Sequence, residues 1–334
     1  MKRLVAIGAS AGGIEALREL VAALPIEFPS PIAIVLHSSP QSPGLLHDIL
    51  SRSGRLPAIN PRNGERLHAG RIYVAPPDFH LLIEPGRVRL TKGPRENRFR
   101  PAIDPLFRSA AQVYGPAAIG VILTGNLGDG TAGLWAIKRL GGTAVVQDPD
   151  DALFPSMPEH ALRAVTVDHR VPLREIASLL VDLTAEPVAE TREATPRRNV
   201  EIEVEIAREQ DPLRAGVEGL GAPSAIACPE CHGVLREWKE DDRLRFRCHT
   251  GHAYSAESLL AHIGEDVETT MWTAIRALQE GSLLMRRLAD HADAAHSGEN
   301  SGALRERANE LEKRADAMRD MLHAQAPLVN ELVK

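Results

Sequence analysis

Aromatic residues are scarce in this chain of 334 residues: Phe, Trp and Tyr together make up 4%, so its core is built mainly from Ala, Val, Ile and Leu. Cysteine is scarcer still. Three residues are too few for a disulfide framework, and two of them stand in a C-x-x-C pair. That usage fits a reducing compartment, and a cytoplasmic protein is expected. No apolar run approaches the ~20 residues of a membrane span, so membrane insertion is not expected. The opening MKRLVAIGASAGG is not expected to be a signal peptide, because its apolar stretch is short and runs straight into a glycine-rich turn. A surplus of positive charge is also missing. The net charge of −6 argues against general nucleic-acid binding. Locally the balance reverses: from Arg62 to Arg100, nine Arg or Lys against four Asp or Glu leave +5. That segment is either a solvated face or a basic surface that steers an acidic macromolecule toward a site.

What is present is alternation. Strand-like runs near 3–8, 32–36, 71–75, 118–123 and 143–147 alternate with helical patterns near 12–24, 43–53, 104–114, 130–140 and 172–183. Over residues 1–184 this predicts an α/β domain, a doubly wound, Rossmann-like, mainly parallel sheet. Pro85-Gly86, between HLLIE and RVRL, adds a β-hairpin at 79–91. Residues 185–225 turn polar and read as a linker, in which NVEIEVEIA alternates apolar and acidic residues and suggests a short amphipathic strand. Residues 226–256 form a compact Cys/His, zinc-ribbon-like segment. Residues 257–334 are helical. There Leu304, Ala308, Leu311, Ala315, Met318 and Leu322 form a heptad seam that stops at Gln325, and Leu260, Ile263, Val267, Ala274 and Leu278 form a second stripe. A helical hairpin or coiled coil follows, closed on itself or shared with a second copy in a homodimer.

Three strand-like runs each lead to a polar residue: LVAIGA to Ser10, IAIVL to His37, and AIGVILTG to Asp129 a few residues beyond. In a parallel sheet the carboxyl ends of the strands share one edge, so three residues distant in sequence can meet there. Ser, His and Asp are a nucleophile, its general base and the group that orients the base. Gly8-Ala9-Ser10-Ala11-Gly12 fits G-x-S-x-G between a strand and a helix, the setting of a nucleophile elbow. The Ala11 amide, at a helix N-terminus, points where an oxyanion would form. A glycine-rich dinucleotide loop is the rival reading. Against it, Ser10 replaces the glycine that would approach pyrophosphate, and the second strand ends in His37 instead of the acidic residue that holds ribose. His37 is also readable as an ordinary strand-end histidine, and Asp129 as an N-cap of the helix from Thr131.

With VAIGASAGGIEAL, IVLH, AGRIYVAPPDFHLLI, NRFRPAIDPLF, GVILTGNLGDGTAGL and FPSMPEHAL in order, residues 3–183 resemble the CheB family, the chemotaxis protein-glutamate methylesterases. The resemblance implies Ser10 as nucleophile, His37 as base and Asp129 as its partner. It also implies an oxyanion hole from the main-chain amides of Ala11 and Asn126. The implied activity is hydrolysis of glutamyl methyl esters, with deamidation of glutamines in some members, on the cytoplasmic helices of chemoreceptors or a similar signalling protein, and no catalytic cofactor. The basic stretch suits a glutamate-rich helix, with Arg98 and Arg100 as candidate substrate contacts. Family members typically carry an N-terminal receiver domain. Here the chain opens on the first catalytic strand, so control by a chemotaxis kinase is not expected.

Cys228-Pro-Glu-Cys231 is followed after sixteen residues by Cys248-His-Thr-Gly-His252. Two ligand pairs at the ends of a hairpin suit one tetrahedral structural Zn²⁺ held by Cys228, Cys231, Cys248 and His252, with His249 the alternative fourth ligand. A metal-free fold with three reduced thiols is the other reading. For the whole chain, a serine esterase stands against a non-catalytic signalling adaptor that keeps the fold and recruits partners through its C-terminal elements.

Overall fold

In a computed structural model, residues 3–188, 198–209, 211–241, 243–294 and 301–324 are described. Two compact units divide the chain after Ser258. In the first, β1 (Leu4–Ala9) leads to α1 (Gly13–Ala23), and β2 (Ile32–Leu36) to α2 (Leu46–Ser53). Two short strands, β3 (Ala58–Ile59) and β4 (Ile72–Val74), precede the hairpin of β5 (His80–Glu84) and β6 (Arg87–Thr91). The chain continues through α3 (Ile103–Tyr114), β7 (Ala118–Ile122), α4 (Thr131–Arg139), β8 (Thr143–Gln147), α5 (Ser156–Ala164), β9 (His169–Val171) and α6 (Leu173–Ala185).

Seven strands pair in the order β3-β4-β2-β1-β7-β8-β9, every pair parallel. A parallel sheet is buried on both faces, and its strands therefore read as continuous apolar runs. Along β1, Leu4 and Ala6 join one core with Phe107 of α3 and Leu134 of α4. Val5, Ile7 and Ala9 join the other, with Leu17 of α1 and Leu180 of α6. The order runs outward from β1 to β2 and β4, then restarts at β7, so the topological switch lies between β1 and β7. Crevices at the carboxyl ends of such a sheet open there. The predicted hairpin is β5–β6, a separate two-stranded sheet. The short strands β3 and β9 and the helix α5 lack a strong periodic signal.

The second part of this unit holds α7 (Arg198–Ala207), α8 (Pro212–Ala215), β10 (Ala222–Ala227), β11 (Val234–Glu240), β12 (Arg243–Cys248) and β13 (Ala253–Ser255). The four strands form one antiparallel sheet in sequence order. Here the structure corrects the sequence reading: NVEIEVEIA is the helix α7, not a strand, and from Arg198 on the segment is packed structure instead of linker (189–197 lie outside the described residues). The alternation misleads because α7 is covered on two opposite sides. Residues two apart point about 200° apart on a helix. Val200 and Val204 enter the core that contains Phe107 of α3, while Ile202 and Ile206 pack with Val217, Leu220 and Trp238.

Between these apolar contacts lies a buried ionic cluster. Arg245 and Arg247 of β12 meet Glu203 of α7 at 3.0 Å each. Arg247 also reaches Glu96 at 2.9 Å, and Arg245 reaches Asp104 at 3.4 Å. Arg108 of α3 closes it by pairing with Glu96. Three guanidinium groups thus balance three carboxylates. Burial disfavours the charged carboxylates, but Arg108 and Arg247 hold Glu96, and Arg108, Arg245 and Arg247 hold Glu203, below the ordinary carboxylate range. Asp104 goes the other way, pushed up to about 6 by burial and by Asp129. The signs give opposite pH windows. Protonation of Asp104 adds stability as pH falls from 7 through 6. Glu96 and Glu203 stay ionised in the fold while the unfolded chain takes up protons, so their stabilisation is lost progressively as pH falls below the unfolded value of 4.5. Calorimetric Tm against pH is therefore expected to hold or rise slightly toward pH 5 and to drop steeply below 4.5. A Tm that declines smoothly from pH 7 would contradict this arrangement.

In the second unit, α9 (Ala256–Ala294, beginning just before the boundary) and α10 (Ser301–Ala324) run antiparallel. Arg286 pairs with Glu312, and Arg305 with Asp290. Beyond the first turns of α9, the buried positions step by seven: Ile275, Ser282 and Ala289 on α9, and Ser301, Ala308 and Ala315 on α10. Small residues at this spacing allow close approach. Val267, from the expected α9 stripe, is 40% exposed; the seam's end at Gln325 lies outside the described residues. Among the described residues, no helix is long and apolar enough to cross a membrane.

Candidate active site

Ser10 follows β1, and its amide donates to Thr124 O at 3.0 Å, fixing the turn against the loop after β7. Two glycines make this turn possible. Gly12 has φ +71°, a left-handed conformation at the start of α1. A Cβ on Gly125 would lie 2.8 Å from Ser10 Cβ, so only glycine lets that loop cross the serine. His37 follows β2, its amide donating to Ala9 O at 3.2 Å. Its ring stacks on Phe99, centroids 3.7 Å apart and planes within 5°.

The three polar residues at the sheet edge come together. Ser10 Oγ lies 3.0 Å from His37 Nδ1, and His37 Nε2 lies 2.6 Å from Asp129 Oδ2. An ionised carboxylate only accepts, so Nε2 carries the proton toward Asp129 and Nδ1 offers its lone pair to the serine hydroxyl. The ring is used in the opposite sense to serine proteases, where Nε2 faces the serine. Asp129 is buried and accepts three further hydrogen bonds. Ile103 N–H reaches Oδ2 at 2.7 Å; Asn97 Nδ2 and Asp104 N–H reach Oδ1 at 2.8 and 3.3 Å. Burial works against the carboxylate charge. The hydrogen bond and charge of His37, with the Ile103 amide and Asn97, outweigh burial and keep Asp129 below the ordinary carboxylate range. Asp129 is therefore a fixed anion at neutral pH.

The serine opens into a cavity of about 420 Å³ lined by Ala11, His37, Ser39, Arg98, Phe99 and Arg100 among others. Of the candidate substrate contacts, Arg100 stands in the wall but is tied down: Nη2 and Nε donate to Asp78 Oδ1 at 2.7 and 2.9 Å, and Nη1 to the carbonyls of Gly93 and Lys92. Arg98, with φ +77°, lines the same cavity. In the loop after β7, the Gly125 and Leu127 amides donate to Phe154 O and Ser156 Oγ; Asn126 lies between them. Sequence reasoning missed Phe99, Asn97 and the Ile103 amide. All three sit in or beside NRFRPAIDPLF, a motif read only for its arginines.

A serine, an imidazole and a buried carboxylate thus stand in series at the switch point of a parallel α/β sheet. The CheB methylesterase family model matches residues 5–180, and the chain belongs to that family. A putative protein-glutamate methylesterase/protein-glutamine glutaminase of Leptospira interrogans is 43% identical over 180 residues, 54% of this chain and 93% of the relative. Protein-glutamate methylesterase/protein-glutamine glutaminase 2 of Anaeromyxobacter dehalogenans is 40% identical over 181 residues, 54% of this chain and 53% of its own. The crystal structure of the Thermotoga maritima CheB methylesterase catalytic domain matches with a TM-score of 0.53 and 34% identity, covering 55% of this chain and 99% of that one. The chain is thus similar to nearly the whole of two of these proteins and to about half of the third. The family-model match runs from β1 into α6.

A second cluster lies on the antiparallel sheet. Ligand atoms of Cys228, Cys231, Cys248 and His252 all fall within 4.8 Å of one another. Cys231 Sγ and Cys248 Sγ are 3.5 Å apart, and His252 Nδ1 is 3.7 Å from Cys228 Sγ and 3.6 Å from Cys248 Sγ. A tetrahedron with Zn–S near 2.3 Å would have edges of roughly 3.7 Å, and these three separations are close to that. His252 Nε2 faces Glu230 Oε2 at 3.4 Å, the carboxylate partner that commonly fixes the tautomer of a ligating histidine. Of the two histidines considered as fourth ligand, His252 is in the cluster, while the His249 ring lies against Gly233. The donor set and spacing fit Zn²⁺.

Proposed function

We propose that this chain hydrolyses glutamyl methyl esters, and deamidates glutamines, on the cytoplasmic helices of a chemoreceptor-like protein, through Ser10, His37 and Asp129. The observation that carries the reading is the series of hydrogen bonds from Ser10 Oγ through His37 to the buried Asp129. Ser10 Oγ attacks the ester carbonyl carbon while His37 Nδ1 takes its proton. Asp129 holds the ring and stabilises its charged form. The oxyanion is received by the main-chain amides of Ala11 and Asn126. His37 then protonates the leaving methoxide, methanol departs, and a water deprotonated by His37 hydrolyses the acyl-enzyme. For a glutamine the leaving group is ammonia. No cofactor enters these steps. The arginines of the wall, Arg98 and Arg100, face an acidic substrate helix, with Arg100 held in place by Asp78. The names of the relatives support the same substrate class. The test is methanol release from a methyl-esterified receptor cytoplasmic fragment. Release supports the reading; a folded chain that releases none, while the Leptospira relative does on the same fragment, counts against it.

Residues 226–256 are a structural metal module, with Zn²⁺ held by Cys228, Cys231, Cys248 and His252. Bound zinc would supply cross-linking of two chain segments and no chemistry at Ser10. Native mass spectrometry is expected to find one zinc per chain, and Cys228→Ser to lose it with a fall in Tm. A metal-free, equally stable wild-type protein would contradict the assignment.

A further inference from the structure

Asn97 joins the esterase site to the Cys/His module. The residue is 2% exposed and each polar atom of its side chain is used twice. On one side Nδ2 donates to Asp129 Oδ1 at 2.8 Å and to Asp104 Oδ2 at 3.0 Å. On the other, Oδ1 accepts from the Ser255 amide at 2.8 Å and from Ser258 Oγ at 2.9 Å. A primary amide has two donors and two acceptor lone pairs, so the group is saturated. Its orientation is also dictated, since the flipped amide would set its oxygen against two carboxylates. The Asn97 main chain is held from the same module: its amide donates to Ala253 O at 2.7 Å. It has φ +49°, a left-handed conformation that asparagine adopts more readily than most side chains.

The module residues that do this are next to the metal-ligand positions. Ala253 follows His252 directly and opens β13, which carries Ser255. Arg247, which precedes Cys248, holds Glu96 at 2.9 Å, and Glu96 precedes Asn97. Cys248 N–H donates to His252 O at 3.0 Å, closing the two ligand-bearing segments on each other. The dipeptide Glu96-Asn97 is therefore gripped at both residues by the immediate neighbours of Cys248 and His252.

We propose that Asn97 is a positioning residue for Asp129 and that zinc in the Cys228–Cys231–Cys248–His252 centre sets it, so that metal occupancy of the module governs the geometry of the esterase site. The proposal rests on the triad and zinc readings above and adds the link between them. Zinc fixes the turn from Cys248 to His252, this fixes β13 and the start of α9 that follows it, and these present Ala253, Ser255 and Ser258 to Asn97. With those contacts loosened, the Asn97 amide no longer holds Asp129 Oδ1, and Asp129 keeps fewer of the bonds that aim it at His37 Nε2.

The test uses the full chain with two readouts. One is kcat and KM for methanol release from a methyl-esterified receptor fragment. The other is the downfield proton NMR line of the His37–Asp129 hydrogen bond, which needs no substrate. Asn97→Asp keeps the oxygen that accepts from Ser255 and Ser258 but turns an anion toward Asp129. It is expected to lower kcat by about 100-fold, the scale of an ångström-sized misplacement, with KM and zinc content unchanged and the NMR line shifted or lost. Ser258→Ala touches only the module side and is expected to lower kcat several-fold; it carries the test if Asn97→Asp does not fold. Removal of zinc by a chelator is expected to broaden the line and lower kcat, with both restored by zinc. An unchanged line in metal-free protein whose circular dichroism is native would overturn the coupling, as would full kcat in Asn97→Asp. Reconstituted protein that takes up no zinc would overturn the metal's part. If no methyl ester tested is hydrolysed, the substrate reading fails while the NMR line still decides the link.

Discussion

Ser10→Ala is expected to remove methanol release, lowering kcat by about 10⁴-fold or more, with Tm changed little. The magnitude follows from the way such groups act as a unit: removal of the serine or histidine of a triad costs nearly as much as removal of the whole set. What survives is binding and the oxyanion amides, which belong to the main chain and are untouched by the substitution. Stability should hold because the serine's main-chain bonds fix the turn: its N–H donates to Thr124 O, and its carbonyl accepts from Gly13 N–H. The side chain adds one hydrogen bond to His37, at the mouth of a cavity. His37→Ala is the informative contrast. It should lower kcat as severely, but it also deletes a ring stacked on Phe99, so some loss of Tm should accompany it. Undiminished turnover in Ser10→Ala would exclude Ser10 as nucleophile. Absence of turnover in both variant and wild type, on fragments that a relative cleaves, would favour the adaptor reading.

The sequence exposed this site because each of its three residues follows an apolar run, and a parallel sheet gathers the ends of such runs on one edge. The fold was legible for the same reason. Continuous runs such as IAIVL and AIGVI are what strands buried on both faces require. What was not legible depends on partners distant in sequence. Asn97 and Phe99 look like ordinary residues of an arginine-bearing loop, and only the tertiary fold sets one against Asp129 and the other under His37. The same limit explains α7. Its two-residue alternation is an honest signal of burial on two sides, but the pattern alone cannot say whether a sheet or a helix supplies those sides. Glu203 adds to the confusion. An acidic residue in an alternating run reads as solvent-facing, whereas here three arginines neutralise it in the interior.

Those arginines set the second large effect. Arg247→Ala is expected to cost about 3–5 kcal/mol, the range for breaking a buried ion pair by removing one partner. Arg247 is fully buried and makes three contacts, to Glu96, Glu203 and Gly251 O. Its loss leaves Glu96 with Arg108, and Glu203 with Arg108 and Arg245, as neutralising partners in the buried interior. Arg247→Met separates charge from packing, because it keeps much of the side-chain volume. If charge dominates, Met will be nearly as costly as Ala. Adding Glu203→Gln to Arg247→Met should then recover part of the loss, since the double change removes charges of both signs from contacting residues and such pairs are not additive. The effect corresponds to a fall in Tm on the order of 10 °C, read by calorimetry or by urea unfolding of the full chain. Hydrogen exchange should place the opening first where β12 and α7 meet the Glu96–Arg108 region, ahead of β1, β2 and β7 in the centre of the parallel sheet. A loss below about 1 kcal/mol would mean that the cluster is not what seats residues 198–258 on the esterase domain, and that the apolar contacts of Val200 and Val204 do so instead.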